Sequence, residues 1–166
     1  MSVTFNANEI FEMAEQIERN GAKFYREAAT KTVARDMKDM FLNMAAMEDG
    51  HLKTFEAMRK ELAAQEKAPT VFDPYNEATL YLQTMADSKG SEGMRNPTEK
   101  LTGNETVQEL LEIAIGAEKN SVLFYVGLKD LVSTQAGRDK VEAIIREEVR
   151  HVADLRKQLI ALNERK

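Results

Sequence analysis

The stretch Glu48-Asp49-Gly50-His51, set beside Glu148-Val149-Arg150-His151, decides how this chain is read. His51 and His151 are the two histidines of the sequence, and each follows a glutamate by three residues. The pairs stand one hundred positions apart, and thirty residues ahead of each lies another glutamate, Glu18 or Glu118. Seven residues after these come Tyr25 and Tyr125. The register extends to apolar and small positions, matching Ala14 with Ala114, Asn20 with Asn120, Phe24 with Phe124 and Leu62 with Leu162. The chain is one helical hairpin used twice.

Working outward from the pairs, the apolar residues recur in alternating steps of three and four, the period of a helix with one buried face. The first helix opens near Asn6 or Asn8, where Asn6 and Glu9 resemble a capping box. Its inner stripe is Phe11, Ala14, Glu18, Gly21, Tyr25 and Ala28, with Glu9 and Glu12 pointing away from the seam. A turn at Thr30–Thr32 leads to a second helix over 33–65 with the stripe Met37, Phe41, Met44, Glu48, His51, Phe55, Met58 and Leu62. At 1.5 Å per residue the part from Asp36 to Leu62 spans roughly 40 Å, which puts Glu48 and His51 near mid-length. The third helix starts near Thr102 or Asn104, with Thr102 and Glu105 as its capping box, and carries Leu111, Ala114, Glu118, Ser121, Tyr125 and Leu128. After a turn at Ser133–Gly137 the fourth presents Val141, Ile144, Glu148, His151, Leu155 and Leu162, ending in a solvated run, Arg156–Lys166.

Residues 67–103 form the one long connection and hold Pro69, Pro74 and Pro97 with Gly90, Gly93 and Gly103. Within it, Asn76–Asp87 reads as a short helix that packs Leu80, Leu82 and Met85 on the bundle. A link of this length can cross a bundle from end to end. The expected fold is therefore all-α: a four-helix bundle made of two helical hairpins joined by a long crossover with a short helix, one domain over 1–166.

Composition excludes several functions. A net charge of −5 supplies no basic surplus for a nucleic-acid backbone. No apolar run is long enough to span a membrane, and Met1–Phe11 lacks the features of a signal peptide, so a cytoplasmic location is expected. With no cysteine in the sequence, disulfides, thiolate catalysis and cysteine-ligated iron are excluded. Abundant Ala, Glu, Lys, Leu and Met suits helices. Met37, Met40, Met44, Met47 and Met58 read as filler of the core.

Glu18, Glu48, Glu118 and Glu148 fall on apolar seams near mid-helix, together with both histidines. An ionised carboxylate buried alone costs several kcal/mol and would sooner take up a proton, and four that converge repel one another. No Lys or Arg occupies the stripes to compensate them. Two divalent cations would neutralise four carboxylates. Each Glu-x-x-His puts both side chains on one helix face, within reach of one metal cluster. Glu147 also lies within reach of His151, but its counterpart is Met47, so Glu148 is the preferred ligand. Oxygen-rich ligation with one imidazole per metal suits iron or manganese better than structural zinc.

At Glu18-x6-Tyr25, Glu48-x2-His51, Glu118-x6-Tyr125 and Glu148-x2-His151 the chain resembles the ferritin-like di-iron carboxylate proteins, and most closely the rubrerythrin-like branch. The resemblance implies two iron ions, with manganese or zinc as alternatives. It implies that Glu48 and Glu148 bridge the metals, that Glu18 and Glu118 are terminal ligands, and that His51 and His151 each bind one metal. Tyr25 and Tyr125 would hydrogen-bond a ligand carboxylate on the facing half. Two departures stand out. Rubrerythrin proper has a further carboxylate one turn after the third-helix glutamate, where this chain has Ser121, and its peroxide chemistry relies on that group. It also carries a rubredoxin domain with four cysteines that this sequence lacks, so the electron donor is expected to be a separate protein.

Three functions compete on this reading. The first is an oxidoreductase that reduces peroxide or dioxygen at a carboxylate-bridged two-metal centre, expected as a homodimer. The second is iron binding and storage with ferroxidase activity, which would assemble as a hollow shell holding many irons per chain. The third is a helical interaction module without metal.

Overall fold

In a computed structural model of the protein, the structure describes residues 7–64, 75, 77–86 and 96–164. Five α-helices account for most of them: α1 Ala7–Lys31, α2 Arg35–Ala64, α3 Glu77–Ala86, α4 Val107–Leu131 and α5 Gln135–Glu164, with a 3₁₀ turn at Pro97–Lys100 and no strand among the described residues. The repeat is visible in the geometry, since α1 and α4 each have 25 residues and α2 and α5 each have 30.

Short turns close the two hairpins. Thr32 seals the end of α1 by donating its hydroxyl to the carbonyl of Ala28 at 2.8 Å. The second turn is held by Arg138, whose Nη1 donates to the carbonyls of Val132 and Ser133 at 2.8 and 3.0 Å. Glu9 in the first turn of α1 and Lys31 in its last suit the helix dipole. The hairpins meet through α1 against α4 and α2 against α5, which makes the four long helices one bundle. Opposed contacts fix the directions: Tyr25 reaches Glu118 while Tyr125 reaches Glu18, so α1 and α4 run antiparallel.

Two apolar clusters fill the bundle on either side of its polar middle. One gathers Phe11, Phe55, Met58, Leu82, Phe124, Leu128 and Ile144; the other gathers Phe24, Phe41, Met44, Leu110, Leu111 and Leu155. Every stripe residue of α1 is buried apart from the half-buried Gly21. In α2 the stripe is buried from Phe41 to Met58, with Met37 half-buried, while the side chain of Leu62 lies outside the described residues.

Several expectations need correction. The α4 helix begins at Val107, not near Thr102 or Asn104, and its N-cap is Thr106, in a capping box with Glu109. Thr102 and Glu105 do hydrogen-bond, at 2.8 Å between the hydroxyl and Oε1, but ahead of the helix. Gly103 between them has φ 101°, a left-handed backbone that interrupts a helix. In the crossover, Leu82 is fully buried but Leu80 is 56% exposed and does not pack on the bundle. Asn6, Pro69, Pro74, Gly90 and Gly93 lie outside the described residues, as does the side chain of Met85, whose backbone belongs to α3.

The short helix α3 lays the ring of Tyr81 directly on the backbone of α4 at Gly127. A Cβ on Gly127 would lie 2.6 Å from the ring of Tyr81, so only glycine admits this packing. The 3₁₀ turn lies against both α1 and α4, over the seam between them. Its first residue, Pro97, is buried.

One buried charge was not foreseen. Glu15 is fully enclosed and accepts from Nε of Arg59 at 2.6 Å, from Nη2 of Arg59 at 2.9 Å and from Arg19 at 3.1 Å. This pair belongs to the packing between α1 and α2.

Candidate metal centre

Four long helices each deliver one glutamate to the centre of the bundle, and α2 and α5 each add a histidine one turn later. Glu18, Glu48, His51, Glu118, Glu148 and His151 are all at most 5% exposed. Their donor atoms form two overlapping groups, Glu18, Glu48, His51 and Glu148 in one and Glu48, Glu118, Glu148 and His151 in the other. Within each group the atoms lie within 4.8 Å of one another, and Glu48 and Glu148 belong to both.

The imidazoles point inward through Nδ1. That of His51 lies 2.8 Å from Oε1 of Glu148 and 3.5 Å from Oε2 of Glu18. That of His151 lies 3.2 Å from Oε2 of Glu148, 3.5 Å from Oε1 of Glu118 and 3.6 Å from Oε1 of Glu48. Close as these atoms are, their directions are not those of hydrogen bonds. Glu18 Oε2, Glu48 Oε1, both oxygens of Glu148 and both Nδ1 atoms are buried without a partner. Native interiors seldom leave such atoms orphaned, and here they face a common space. Among the described residues no lysine or arginine pairs with the four carboxylates, whose ion pairs are with histidine. The donor set therefore fits a pair of divalent ions, each with carboxylate oxygens and one imidazole nitrogen.

Electrostatics carry the same message. Burial, then the charges of the neighbouring carboxylates, drives the pKa of Glu48 and Glu118 well above the carboxylate range. Burial also opposes ionisation of Glu148, but the protonated Glu118 carboxyl and the two imidazolium rings beside it outweigh burial and hold this carboxyl low. Burial would lower both histidines; the carboxylates beside them prevail, raising His51 to about 11 and His151 to about 10. A site that must otherwise fill with protons is one where cations are welcome.

The tyrosines complete the polar layer. Tyr25 donates to Oε1 of Glu118 and Tyr125 donates to Oε1 of Glu18, each bond crossing from one hairpin to the other. The pKa of both phenols is pushed well above its ordinary value, by burial first and then by the glutamate each one touches, so both stay protonated as donors.

The family model described as Rubrerythrin matches residues 9–159. The chain belongs to the rubrerythrin family. Among solved structures it is similar to a protein from Thermotoga maritima described as ferritin-like and diiron-carboxylate, with a TM-score of 0.70 and 25% sequence identity over 96% of this chain and 97% of the other. No curated protein matches it.

Within this rubrerythrin-family site, a cavity of about 40 Å³ opens between α1 and α4 beneath Asn96 and Pro97. Asn20, Gly21, Tyr25, Glu48, Glu118 and Ser121 line it, so it ends on two of the candidate ligands. Since one water needs ~10–15 Å³, the space takes a few water-sized groups. Ser121 donates to the carbonyl of Ala117 at 3.2 Å, and Gly21 leaves just enough room for Glu48, whose Oε2 would be 3.3 Å from an added Cβ.

Two neighbours of the histidines were misjudged or missed in the sequence. Glu147 does not serve His151; its Oε2 is 2.8 Å from Nε2 of His51 on the facing hairpin. Met47 is not core filler but 38% exposed, with its sulfur 3.4 Å from Nε2 of His151. The signal that could have found both was already in the sequence. Each directly precedes the glutamate of a Glu-x-x-His pair, and α2 and α5 face each other across the site.

Proposed function

We propose that this protein is a di-iron oxidoreductase that reduces peroxide or dioxygen. The observation that carries this reading is the pair of ligand groups sharing Glu48 and Glu148, joined to a cavity that reaches Glu48 and Glu118 from the α1–α4 side. Glu18 and His51 would hold one iron and Glu118 and His151 the other, with Glu48 and Glu148 common to both. Iron bound there would supply the electrons and the Lewis acidity needed to reduce a small oxidant. Tyr25 and Tyr125 fix the outer carboxylates, and the two apolar clusters keep bulk water from the centre. The cavity matches an oxidant of two heavy atoms in size.

A separate carrier protein would supply the electrons. A homodimer in the cytoplasm is the setting this reading favours. The test is to load the protein with ferrous iron without oxygen, add peroxide or dioxygen, and follow the absorbance of the oxidised centre. Stoichiometric oxidation at about two irons per chain is expected. No reaction with either oxidant would remove the proposal, and many irons per chain in a large shell would replace it with iron storage.

A further inference from the structure

The ligands of the two halves are matched, but the residues behind the histidines are not. His51 meets the carboxylate of Glu147 through Nε2 at 2.8 Å, whereas His151 meets the thioether of Met47 through the corresponding atom at 3.4 Å. Glu147 and Met47 hold the same place in the repeat, each one residue before a glutamate shared by both ligand groups. In both halves Nδ1 is turned to the centre, so Nε2 is the atom left for an outer partner.

Resting on the two-metal reading, we propose that Glu147 makes the two metal positions unequal. The position built from Glu18 and His51 binds its ion about 10–100-fold more tightly than the position built from Glu118 and His151. A carboxylate accepting from Nε2–H fixes the tautomer whose Nδ1 lone pair is free for a metal, and it fixes the plane of the ring. A thioether sulfur is a weak acceptor, so His151 has no comparable support for either task. Glu147 is thus a positioning residue acting through His51. A second observation agrees in direction: the cavity is lined by Glu118, which belongs to the less supported position, and not by Glu18 or His51. The more weakly held ion is therefore the one nearer the opening between α1 and α4.

The test is titration of the chelator-treated full chain with cobalt(II), read by calorimetry and by the visible spectrum of the bound ion. The wild-type protein is expected to bind two ions in steps separated about 10–100-fold. Glu147→Met should merge the steps by weakening the first, and Met47→Glu should merge them by strengthening the second. Glu147→Gln retains an acceptor and should keep part of the separation, which a merely structural loss would not do. Both positions are partly exposed, at 42% for the Glu147 side chain and 38% for Met47, and circular dichroism would establish that each variant folds. Two equal wild-type steps, or a separation indifferent to both substitutions, would overturn the inference while leaving the proposed chemistry standing. Unequal cobalt binding by a protein inert to oxidants would leave this inference and remove the chemistry. Failure to bind cobalt at all would overturn both.

Discussion

Tyr25 of the first hairpin donates its hydroxyl to Glu118 of the second, 93 positions further along the chain. Tyr125 returns the same bond to Glu18. Each phenol occupies Oε1 of its carboxylate; in Glu18 this leaves Oε2 as the unpartnered atom, facing Nδ1 of His51 at 3.5 Å. The reciprocal pair therefore does two things. It locks α1 to α4 at mid-bundle, and in Glu18 it leaves Oε2 for the other ligands, whereas in Glu118 the bonded Oε1 is also the oxygen 3.5 Å from Nδ1 of His151.

Replacing Tyr125 by phenylalanine should expose that dependence. The buried Oε1 of Glu18 would lose its donor, at a cost of about 1–3 kcal/mol to the fold. Thermal unfolding of Tyr125→Phe in chelator checks it, and a melting temperature equal to that of the wild type would mean that the bond is not formed. The ring itself stays, so its contact with Phe55, with centroids 5.0 Å apart, is retained.

Why so much of the site was legible follows from the cost of placing acids on apolar stripes. A glutamate at positions 18, 48, 118 and 148 breaks a helical period of otherwise apolar residues, and the repeat makes each break count twice. What escaped was decided by partners far away in sequence. Glu15 lies one position off the α1 stripe, and its burial depends on Arg59, 44 residues on. The start of α4 was ambiguous because Thr102-x-x-Glu105 and Thr106-x-x-Glu109 carry the same signature. Gly103 adopts a positive φ, and Lys31 draws Glu105 into an ion pair at 2.8 Å, so the second box opens the helix.

The protein with metal removed should be most stable in mild acid. His51 and His151, raised from 6.5 to about 11 and about 10, hold protons more tightly folded than unfolded. Their contribution is complete below about 6.5 and disappears as the pH rises through about 10 to 11. Glu48 and Glu118 act in the same sense, because the folded protein keeps protons that the unfolded chain releases above 4.5. Glu148, held low, contributes above the ordinary carboxylate range and is lost only as the pH falls through it into strong acid. Melting temperatures in chelator should therefore fall from about pH 6 to pH 9. Under saturating cobalt(II) the increment over the chelated protein should grow across the same range, since ligation displaces the protons. A chelated protein that gains stability over this interval would contradict the assignment.

Filling the cavity should separate metal binding from reaction. Ser121 lines the space with Glu48 and Glu118, and leucine there would occupy most of about 40 Å³. Ser121→Leu is expected to bind both ions but to react with peroxide at least about tenfold more slowly, a rise of ~1.4 kcal/mol in barrier. Rapid-mixing absorbance measures the rate and metal analysis the occupancy. Unchanged kinetics at full occupancy would mean that the oxidant enters elsewhere.

The repeat supplies its own control for the buried Glu15–Arg59 pair. The equivalent positions in the second half are Leu159, in the apolar cluster that also holds Leu155, and Ile115, half-buried against that cluster. The fold thus accommodates either an ion pair or an aliphatic pair at this place in a hairpin. Breaking the ion pair by Arg59→Leu alone leaves Glu15 enclosed with only Arg19 at 3.1 Å, and should cost about 3–5 kcal/mol at neutral pH. Exchanging both, Glu15→Ile with Arg59→Leu, removes the charge together with its partner and should recover most of that loss, ending near the wild type or above it. Denaturant unfolding of the two single variants and the double variant completes the cycle. Additive losses in the double variant would indicate that the first hairpin needs the charges themselves, for instance through Glu56, which Arg19 also contacts at 3.2 Å. Near-recovery would mean that the two halves differ here in polarity without differing in the packing demanded of them.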